Sequence, residues 1–299
     1  MFLSNTIKNH DKFSKLSNLH PCMGGEAHMK FGRLHLPVSP ACNIQCKFCK
    51  RDYSNSYDER PGVANGILKT QDVVETIKKA LELCPEITVV GIAGPGDTLA
   101  TGHAIETFKL VHEFYPDLIQ CLSTNGLLLE RYADDLYKVG VGTITVTVNA
   151  VNPIIQSKII SYIQLDGQIY YGEEAAKKLI DAQLRGIKKI SDLGIIVKVN
   201  TVLIPGINDN HIGEIAKSVQ EAGATLYNII PLIPQHELSH ISPPTCLQLD
   251  KARQEAEKYL EVFRHCKHCR ADACGIPGQV DLSNKLYGAL HDYETFSHG

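Results

Sequence analysis

Three cysteines in the first part of the chain have a spacing that suits an iron-sulfur cluster. Cys42, Cys46 and Cys49 are separated by three and then two residues, and Phe48 precedes the last of them. A closed structural zinc site uses four protein ligands, whereas a four-iron cluster held by three cysteines leaves one iron open. No fourth cysteine stands close by, so the spacing favours a cluster with an open iron. The alternative is a zinc knuckle or a set of buried structural thiols.

A second group of cysteines near the C-terminus could bind a further metal centre. Cys266 and Cys269 form a Cys-x-x-Cys pair, and Cys274 follows shortly after them. Such a pair can chelate a metal from a single turn, but the residues alone equally allow a zinc half-site or a redox pair. Cys22 and His35, far upstream, supply further candidate ligands, although a core histidine is the simpler interpretation of His35 alone.

Composition and charge exclude several classes of protein. The 299 residues include 30 lysines and arginines and 33 aspartates and glutamates, a balance that indicates neither a nucleic-acid partner nor an acidic membrane surface. No apolar stretch is long enough to cross a bilayer or to act as a signal peptide. We therefore expect a cytoplasmic protein and a monomer. In a reducing compartment, ten cysteines point to metal binding or catalysis rather than to disulfides.

The order of the predicted elements indicates an α/β fold. Six strand-like runs alternate with amphipathic helix-like runs, as they do in parallel sheets. Six βα units predict a partial (βα)6 TIM-like barrel, in which chemistry gathers at the carboxyl ends of the strands. The expected strands are 34–38, 87–93, 119–124, 143–148, 195–200 and 226–230, and the expected helices are 70–83, 104–114, 128–139, 173–193, 212–222 and 249–263.

The partial barrel is expected to span residues 34–248. Residues 1–33 form an N-terminal extension with one candidate cluster ligand, and residues 249–299 form a C-terminal helix and a cysteine-bearing tail. The three-cysteine loop directly follows the first strand, so it belongs at the catalytic end of the barrel. The connection 152–172 is long for a βα loop, which makes it a candidate cover for the site.

Glycine-rich and polar residues follow the expected strands. Gly94, Gly96 and Asp97 form a turn whose exposed backbone could approach a ligand closely, although a plain tight turn explains the glycines equally well. Each strand-end polar residue, taken alone, is most simply a loop cap, but a shared position favours a set that faces one ligand. The members of this set are Ser123, Asn125, Asn149 and Asn200.

These motifs resemble those of radical S-adenosylmethionine (SAM) enzymes and, within that class, those of the NifB family of nitrogenase cofactor maturases. The resemblance runs from about residue 20 to residue 275. It implies a radical SAM barrel with cluster-binding extensions at both ends. The matching strings are HPC at 20–22, PACNIQC at 40–46, RPGV at 60–63, GIAGPGD at 91–97, CLSTNG at 121–126, VKVN at 197–200 and CKHCRAD at 266–272.

The resemblance also implies a reaction, cofactors and partners. One [4Fe-4S] cluster binds SAM, and two further [4Fe-4S] precursor clusters are fused, with a SAM-derived carbide and a sulfur, into an [8Fe-9S-C] product. One SAM is the methyl donor, and a second yields the 5′-deoxyadenosyl radical. The implied partners are iron-sulfur cluster donors, an electron donor such as ferredoxin, and a carrier or scaffold protein that receives the product.

Individual residues take roles from the same resemblance. It implies that Cys42, Cys46 and Cys49 hold the catalytic cluster. The residues implied to bind SAM are Phe48, Gly94, Gly96, Asp97, Ser123, Asn125, Asn149, Asn200 and Ile207, the last in a segment that packs on the adenine. The implied ligands of the precursor clusters are Cys22, Cys266 and Cys269 for one cluster, and His35 and Cys121 for the other.

The chain departs from the family pattern near the cysteine loop. Ser54 or Asn55 stands where the family carries a further cysteine. Because an amide or a hydroxyl is a poor replacement for a thiolate on iron, the third ligand of the His35 cluster is unassigned. Asp58 stands where the family has a longer acid, and with Arg60 it is a candidate to position groups or relay protons. A solvated loop is the default interpretation of such charges.

Two competing functions stay open at this point. A radical SAM enzyme with an auxiliary cluster that acts on a peptide or small molecule gains weight from the missing cysteine. A non-catalytic iron-sulfur carrier is the other, although a carrier has no need of the Gly94 to Asp97 turn that would hold SAM. Cys274 either assists the neighbouring cluster or fills space. We expect a stand-alone form, without the carrier-like C-terminal domain that some relatives append.

Overall fold

The computed structural model describes residues 12–53 and 60–288 of the chain. The strands in this part are β1 (Gly32–His35), β2 (Ile44–Cys46), β3 (Asp52–Tyr53), β4 (Val63–Ala64), β5 (Ile87–Ile92), β6 (Ile119–Thr124), β7 (Val141–Thr147), β8 (Ile160–Leu165), β9 (Gln168–Tyr171), β10 (Ile196–Leu203), β11 (Leu226–Pro231) and β12 (Cys274–Gly275). The helices that begin and end in it are α1 (Gly25–Lys30), α2 (Val73–Leu83), α3 (His103–Phe114), α4 (Leu129–Lys138), α5 (Pro153–Ser157), α6 (Gly172–Asp192), α7 (Ile212–Glu221), α8 (Cys246–Glu257) and α9 (Ser283–Tyr287), with short 3-10 turns at Thr70–Asp72 and His236–Leu238.

A curled sheet of seven strands, in the order β11-β10-β7-β6-β5-β1-β12, forms the centre of the described residues. The first six strands in this order are parallel, because helices return the chain between them. The seventh, β12, is antiparallel to β1. The prediction of a partial barrel with six βα units is therefore confirmed. None of the helices in the described ranges has the length and apolar character of a membrane span.

The two faces of this sheet differ in polarity. Along β6, Leu122 is fully buried in the main apolar core, which it shares with Phe108 of α3 and Leu136 of α4. Cys121 and Ser123 alternate with Leu122 and are only partly buried. Because successive side chains of a strand point to opposite faces, the helices cover an apolar outer face while polar groups line the inner face.

The helix predicted over 249–263 is wrong in its last part. The observed helix α8 ends at Glu257. Beyond it, Val262 forms a parallel bridge with Tyr227, and the Phe263 N–H donates to the Tyr227 carbonyl (2.8 Å). The segment thus lies along the edge strand β11 and satisfies backbone groups that the edge would otherwise leave unpaired.

A small antiparallel sheet lies in the connection predicted as a cover. Its strand order is β2-β8-β9, and β8 and β9 form a hairpin. The turn residues Asp166 and Gly167 both have positive φ (52° and 77°), as in the type I′ turns that an Asp-Gly pair favours. Since β2 carries Cys46 and pairs with β8, this connection braces the cysteine loop.

Candidate active site

The three-cysteine loop follows β1 at the carboxyl end of the parallel sheet. The Cys49 N–H donates to the Cys46 carbonyl (3.0 Å), which closes a tight turn. The buried side chain of Gln45 donates from Nε2 to the carbonyls of Cys46 (2.9 Å) and Cys49 (3.1 Å). Gln45 therefore holds the turn that positions two of the three thiols.

A positive charge faces the thiols of this loop. Cys42, Cys46 and Cys49 are free and partly buried, and they lie close enough to influence one another. Burial raises the pKa of Cys42 to about 11, and the Arg51 guanidinium opposes this rise. Arg51 interacts electrostatically with all three thiols. Because a neighbouring cation favours the thiolate that binds iron, Arg51 is a functional candidate that cysteine spacing alone does not reveal.

The donor set fits a [4Fe-4S] cluster. Three free thiols that interact with one another match a cluster that binds each thiolate at a different iron and keeps one iron open. Over residues 12–53 and 60–288, no three histidine, cysteine, aspartate or glutamate side chains are grouped so that they could hold a single metal ion. The structure thus gives no support to the zinc-knuckle alternative.

The loop after β5 packs directly on the cysteine loop. The Gly96 N–H donates to the Ser39 carbonyl (2.8 Å), and the Asp97 N–H donates to the Ala41 carbonyl (2.9 Å). A Cβ on Gly96 would lie 2.0 Å from the Ala41 carbonyl oxygen, so only glycine permits this approach. Gly94 has a φ of 127°, which also favours glycine. The contact of both glycines with SAM stays a prediction, while the packing role of Gly96 is visible.

Asp97 lies beneath this loop and organises the end of β6. Its buried carboxylate accepts hydrogen bonds from the N–H groups of Leu99 (3.0 Å) and Asn125 (2.6 Å) and from the Thr124 hydroxyl (3.0 and 3.1 Å). Burial raises the pKa of Asp97, and these hydrogen bonds oppose the rise. Asn125 in turn donates from Nδ2 to Asn43 Oδ1 (2.7 Å). Asp97 therefore positions Asn125 against the cysteine loop, and its predicted contact with SAM stays untested.

Ser123 and Asn149 lie at or just beyond the carboxyl ends of their strands, as predicted, but Asn200 does not, because its strand continues to Leu203. Asn149 Oδ1 accepts from the Val202 N–H (2.9 Å), and Asn200 Oδ1 accepts from Asn228 Nδ2 (3.0 Å). Ser123 is partly buried on the inner face of β6. These bonds fix the orientation of both amides, and the contact of the three residues with SAM stays a prediction.

Phe48 and Ile207 come together on one apolar cluster. Both side chains pack against it. The loop that carries Ile207 is held by the buried Asn208, which accepts a hydrogen bond from the Ile204 N–H (2.8 Å) and donates one to the Asn149 carbonyl (2.9 Å). The buried members of the cluster are Ala150, Ile159, Ile204, Leu232 and Leu238. An apolar wall with a few fixed polar groups is typical of a cofactor pocket.

His35 and Cys121 flank Gly91 on the inner face of the sheet. Gly91 is the register partner of both, in β1 and β6. A Cβ on Gly91 would lie 3.2 Å from Cδ2 and 3.7 Å from Nε2 of His35, so glycine keeps this space open. His35 Nδ1 donates to the Arg270 carbonyl (2.9 Å), which leaves Nε2 free of a proton and able to bind a metal. Burial lowers the pKa of His35 to about 4, so the ring is neutral at pH 7.

Cys22 lies near thiols that the sequence assigns to both precursor clusters. Burial raises the pKa of Cys22 to about 12, Lys198 opposes the rise, and Cys269 and Cys121 add to it. Such mutual effects require short separations. Cys22 therefore lies within electrostatic range of Cys269, which is predicted to bind the same cluster, and of Cys121, which is predicted to bind the other.

The C-terminal cysteines have different surroundings. Cys269 Sγ accepts a hydrogen bond from Arg33 Nη2 (3.3 Å). Cys266 packs against an apolar cluster that contains Met23, the neighbour of Cys22 in the chain. Cys274 is fully buried on β12 and belongs to the main apolar core. Of the two interpretations of Cys274, the structure favours space filling.

Arg60 is buried and ties the segment before β4 to the cysteine loop. Its guanidinium donates to the Lys50 carbonyl, and β3 and β4 pair in parallel. The remaining predicted residues of this segment, Ser54, Asn55 and Asp58, lie outside the described residues.

Comparisons with known proteins agree with this architecture. The family model of the Radical SAM superfamily matches residues 36–219. A radical SAM methyltransferase from Sphaerobacter thermophilus has a similar fold, with a TM-score of 0.55 and 17% identity over 77% of this chain and 65% of that chain. SuiB from Streptococcus suis has a TM-score of 0.57 and 14% identity over 95% of this chain and 57% of that chain. The chain is thus a radical SAM enzyme, a class that uses a [4Fe-4S] cluster and SAM.

More similar sequences narrow this class. The FeMo cofactor biosynthesis protein NifB of Methanocaldococcus infernus is 50% identical over 282 residues, which cover 94% of this chain and 93% of that protein. The protein of the same name from Klebsiella pneumoniae is 40% identical over 87% of this chain and 57% of its own length. The chain belongs to the NifB family.

Proposed function

We propose that the protein fuses two [4Fe-4S] clusters, with insertion of a SAM-derived carbide and a sulfur, to form the [8Fe-9S-C] precursor of the nitrogenase cofactor. The observation that supports this most is the closeness of two candidate ligand sets inside the barrel. His35 and Cys121 flank Gly91 in one register row, and Cys22 interacts with both Cys269 and Cys121. Two candidate ligand sets side by side suit an enzyme whose substrates are two clusters that must be joined.

The chain's own residues prepare the site for SAM. Cys42, Cys46 and Cys49 would hold the cluster, which when bound supplies the electron that cleaves SAM. Arg51 favours their thiolate forms, and Gln45 holds their turn. In this proposal the apolar wall that includes Phe48 and Ile207 receives the adenine.

The precursor clusters are substrates in this proposal. Cys22, Cys266 and Cys269 hold one of them, and His35 and Cys121 hold the other. Neutral imidazole is a weaker ligand for iron than thiolate, which suits a substrate that must leave its site. The hydrogen bond from His35 Nδ1 to a backbone carbonyl keeps Nε2 aimed and unprotonated.

The proposed reaction needs other proteins. Iron-sulfur cluster donors load the precursor sites, an electron donor such as ferredoxin reduces the SAM-binding cluster, and a carrier or scaffold protein receives the product. We place the reaction in the cytoplasm, with the chain acting as a monomer.

The test is anaerobic reconstitution with iron, sulfide and reductant, followed by analysis of the SAM-derived products. We expect both S-adenosylhomocysteine and 5′-deoxyadenosine, because one SAM donates the methyl group and another yields the radical that abstracts hydrogen from it. Cys46→Ala should abolish 5′-deoxyadenosine, whereas Cys22→Ala or Cys266→Ala should lose the iron of one precursor cluster only. Cys246→Ala alters an exposed cysteine at the start of α8 and serves as the matched control.

Four outcomes would contradict part or all of this proposal. Methyl transfer without 5′-deoxyadenosine, or neither product, would refute the proposed reaction. A single auxiliary cluster that survives turnover intact would favour a radical SAM enzyme for a peptide or small molecule. Bound clusters without SAM cleavage under strong reductant would favour a carrier. Unchanged iron content in Cys22→Ala and Cys266→Ala would contradict the ligand assignment.

A further inference from the structure

A buried lysine lies on the inner face of β10. Lys198 is only 5% exposed. Its Nζ donates to the Cys22 carbonyl (3.1 Å) and lies 5.4 Å from the centre of the Phe263 ring. In the described ranges, no carboxylate lies within ion-pair distance (4.0 Å) of this ammonium group. Because a buried charge without a counter-charge is strongly unfavourable, this arrangement calls for an anion from outside the chain.

Lys198 lies between the two candidate sets of precursor ligands. On the sheet it is the register partner of Thr145, which pairs with Ser123, one inward-facing position beyond Cys121 on β6. The hydrogen bond of Lys198 reaches the backbone of Cys22, a candidate ligand of one set. The register places Lys198 two strands from Cys121, a candidate ligand of the other.

Neighbouring buried groups add donors rather than acceptors to this region. His20 is 1% exposed, and its Nδ1 accepts the N–H of Cys22 (3.1 Å), so the proton of the neutral ring is on Nε2. That Nε2–H has no hydrogen-bond partner among the described residues. Arg33, 5% exposed, donates to the Gly275 carbonyl (2.6 Å) and to Cys269 Sγ (3.3 Å). Cys269 and the Asp281 carboxylate partly compensate Arg33, so among the described residues the groups left without a counter-charge or an acceptor are the Lys198 ammonium group and the His20 Nε2–H.

We propose that Lys198 is a positioning residue whose positive charge is shared by the two cluster substrates and holds them side by side. This inference rests on the proposed function. A [4Fe-4S] cluster with thiolate ligands carries net negative charge, so two of them repel each other at short range. A cation between them lowers this repulsion, and His20 and Arg33 add hydrogen bonds to the cluster next to Cys22 and Cys269.

The experiment uses the Cys46→Ala variant as the parent, because it removes the SAM-binding cluster and leaves only the precursor sites. Lys198→Met keeps the length of the side chain and removes its charge, Lys198→Arg restores the charge, and Lys12→Met is the matched control. Lys12 also donates from Nζ to a backbone carbonyl, that of Gly194 (2.6 Å), but it is exposed. The readouts are iron per chain, the midpoint potential of the bound clusters by EPR-monitored titration, and the melting temperature of the iron-free protein.

We expect Lys198→Met to lose about half of the iron that its parent binds, because one of two mutually repelling clusters is no longer retained. The potential of the remaining cluster should become more negative, since loss of a nearby cation disfavours the added electron. Lys198→Arg should restore both values, and Lys12→Met should match the parent. The iron-free Lys198→Met protein should melt no lower than its parent, because an uncompensated buried charge has been removed.

Unchanged iron content and potential in Lys198→Met would overturn the inference. A lower melting temperature of the iron-free variant, with no recovery of iron in Lys198→Arg, would also overturn it, since it would show a purely structural role. Failure of the proposed function is read separately, in the protein with all three loop cysteines, as the absence of S-adenosylhomocysteine or 5′-deoxyadenosine.

Discussion

The close approach of Gly96 to the cysteine loop allows a direct test of how strictly that loop must be positioned. In Gly96→Ala the new Cβ would lie 2.0 Å from the carbonyl oxygen and 2.5 Å from the carbonyl carbon of Ala41. These are backbone atoms, so they cannot rotate away as a side chain could. To lengthen the contact from 2.0 Å to the 3.4 Å of ordinary packing, the two loops must separate by about 1.4 Å. Cys42, the next residue, must move with Ala41.

A displacement of this size exceeds the tolerance of about 0.5 Å for groups in a working site. Because a misplacement of about 1 Å can lower a rate about 100-fold, we expect Gly96→Ala to reduce 5′-deoxyadenosine formation by about that factor and to bind its cluster less completely. Iron content, visible absorbance and product formation after anaerobic reconstitution measure these effects. Gly102→Ala is the matched control, since its φ is −75° and its Cβ would meet nothing within 4 Å.

Thermal unfolding by circular dichroism distinguishes loop displacement from loss of the fold. Gly96→Ala should unfold cooperatively with the secondary structure of the parent, because the clash is confined to two loops. Wild-type cluster content together with a wild-type rate of SAM cleavage would refute the reasoning. Gly102→Ala should keep both quantities, and a comparable loss in that variant would show that the effect does not come from the contact with Ala41.

Two further changes test the inner face and the frame of the barrel. In a Cys46→Ala background, Gly91→Ala should lower the bound iron, because its Cβ would lie 3.2 Å from the His35 ring. Gly142→Ala is the control and should keep the iron, since its Cβ would have no contact closer than 3.8 Å. Equal iron content in the two variants would contradict the role of the space at Gly91. Burial lowers the pKa of His211 below its usual 6.5. Below about pH 6.5 the unfolded chain therefore binds a proton that the folded chain does not. The free energy of unfolding, measured with urea, should fall as the pH drops from about 7.5 to about 5.5. In His211→Gln the free energy of unfolding should fall less over this pH range. The same pH dependence in the variant and the wild type would refute the role of His211.

Much of the barrel could be predicted because its strands carry local signals. The strand predicted at 119–124 coincides with β6, since this short segment contains Ile119, Cys121 and Leu122 and is followed by the turn residues Asn125 and Gly126. The end of the helix predicted over 249–263 could not be predicted in the same way. Its last residues pair with β11, and tertiary pairing of this kind overrides helical periodicity. The hairpin of β8 and β9 had a signal, the Asp166-Gly167 pair, which the sequence analysis did not use.

Some features of the candidate site depend on residues close together in the sequence, and others depend on contacts between distant segments. The spacing of Cys42, Cys46 and Cys49 is local, so it was sufficient to propose an iron-sulfur cluster. The space at Gly91 depends on the register of three strands, and the surroundings of Lys198 depend on the N-terminal extension and on the segment after α8. Contacts of this kind are absent from any short stretch of sequence, so sequence patterns alone do not assign a role to Gly91 or Lys198.

The two faces of the sheet differ in polarity and in role: the apolar outer face stabilises the fold, and the polar inner face carries the candidate site. The outer face is apolar and packed under helices, and burial of apolar area there is the main stabilising contribution. Among the described residues, the inner face buries the Lys198 ammonium group with no carboxylate in ion-pair distance, and it buries the unpaired Nε2–H of His20. Both groups lower the stability of the cluster-free chain. An anion that binds these groups only in the folded state stabilises that state, by an amount that grows with the logarithm of the ratio of its concentration to its Kd. The loaded protein should therefore resist unfolding more than the cluster-free protein, and the gain should be smaller in Lys198→Met.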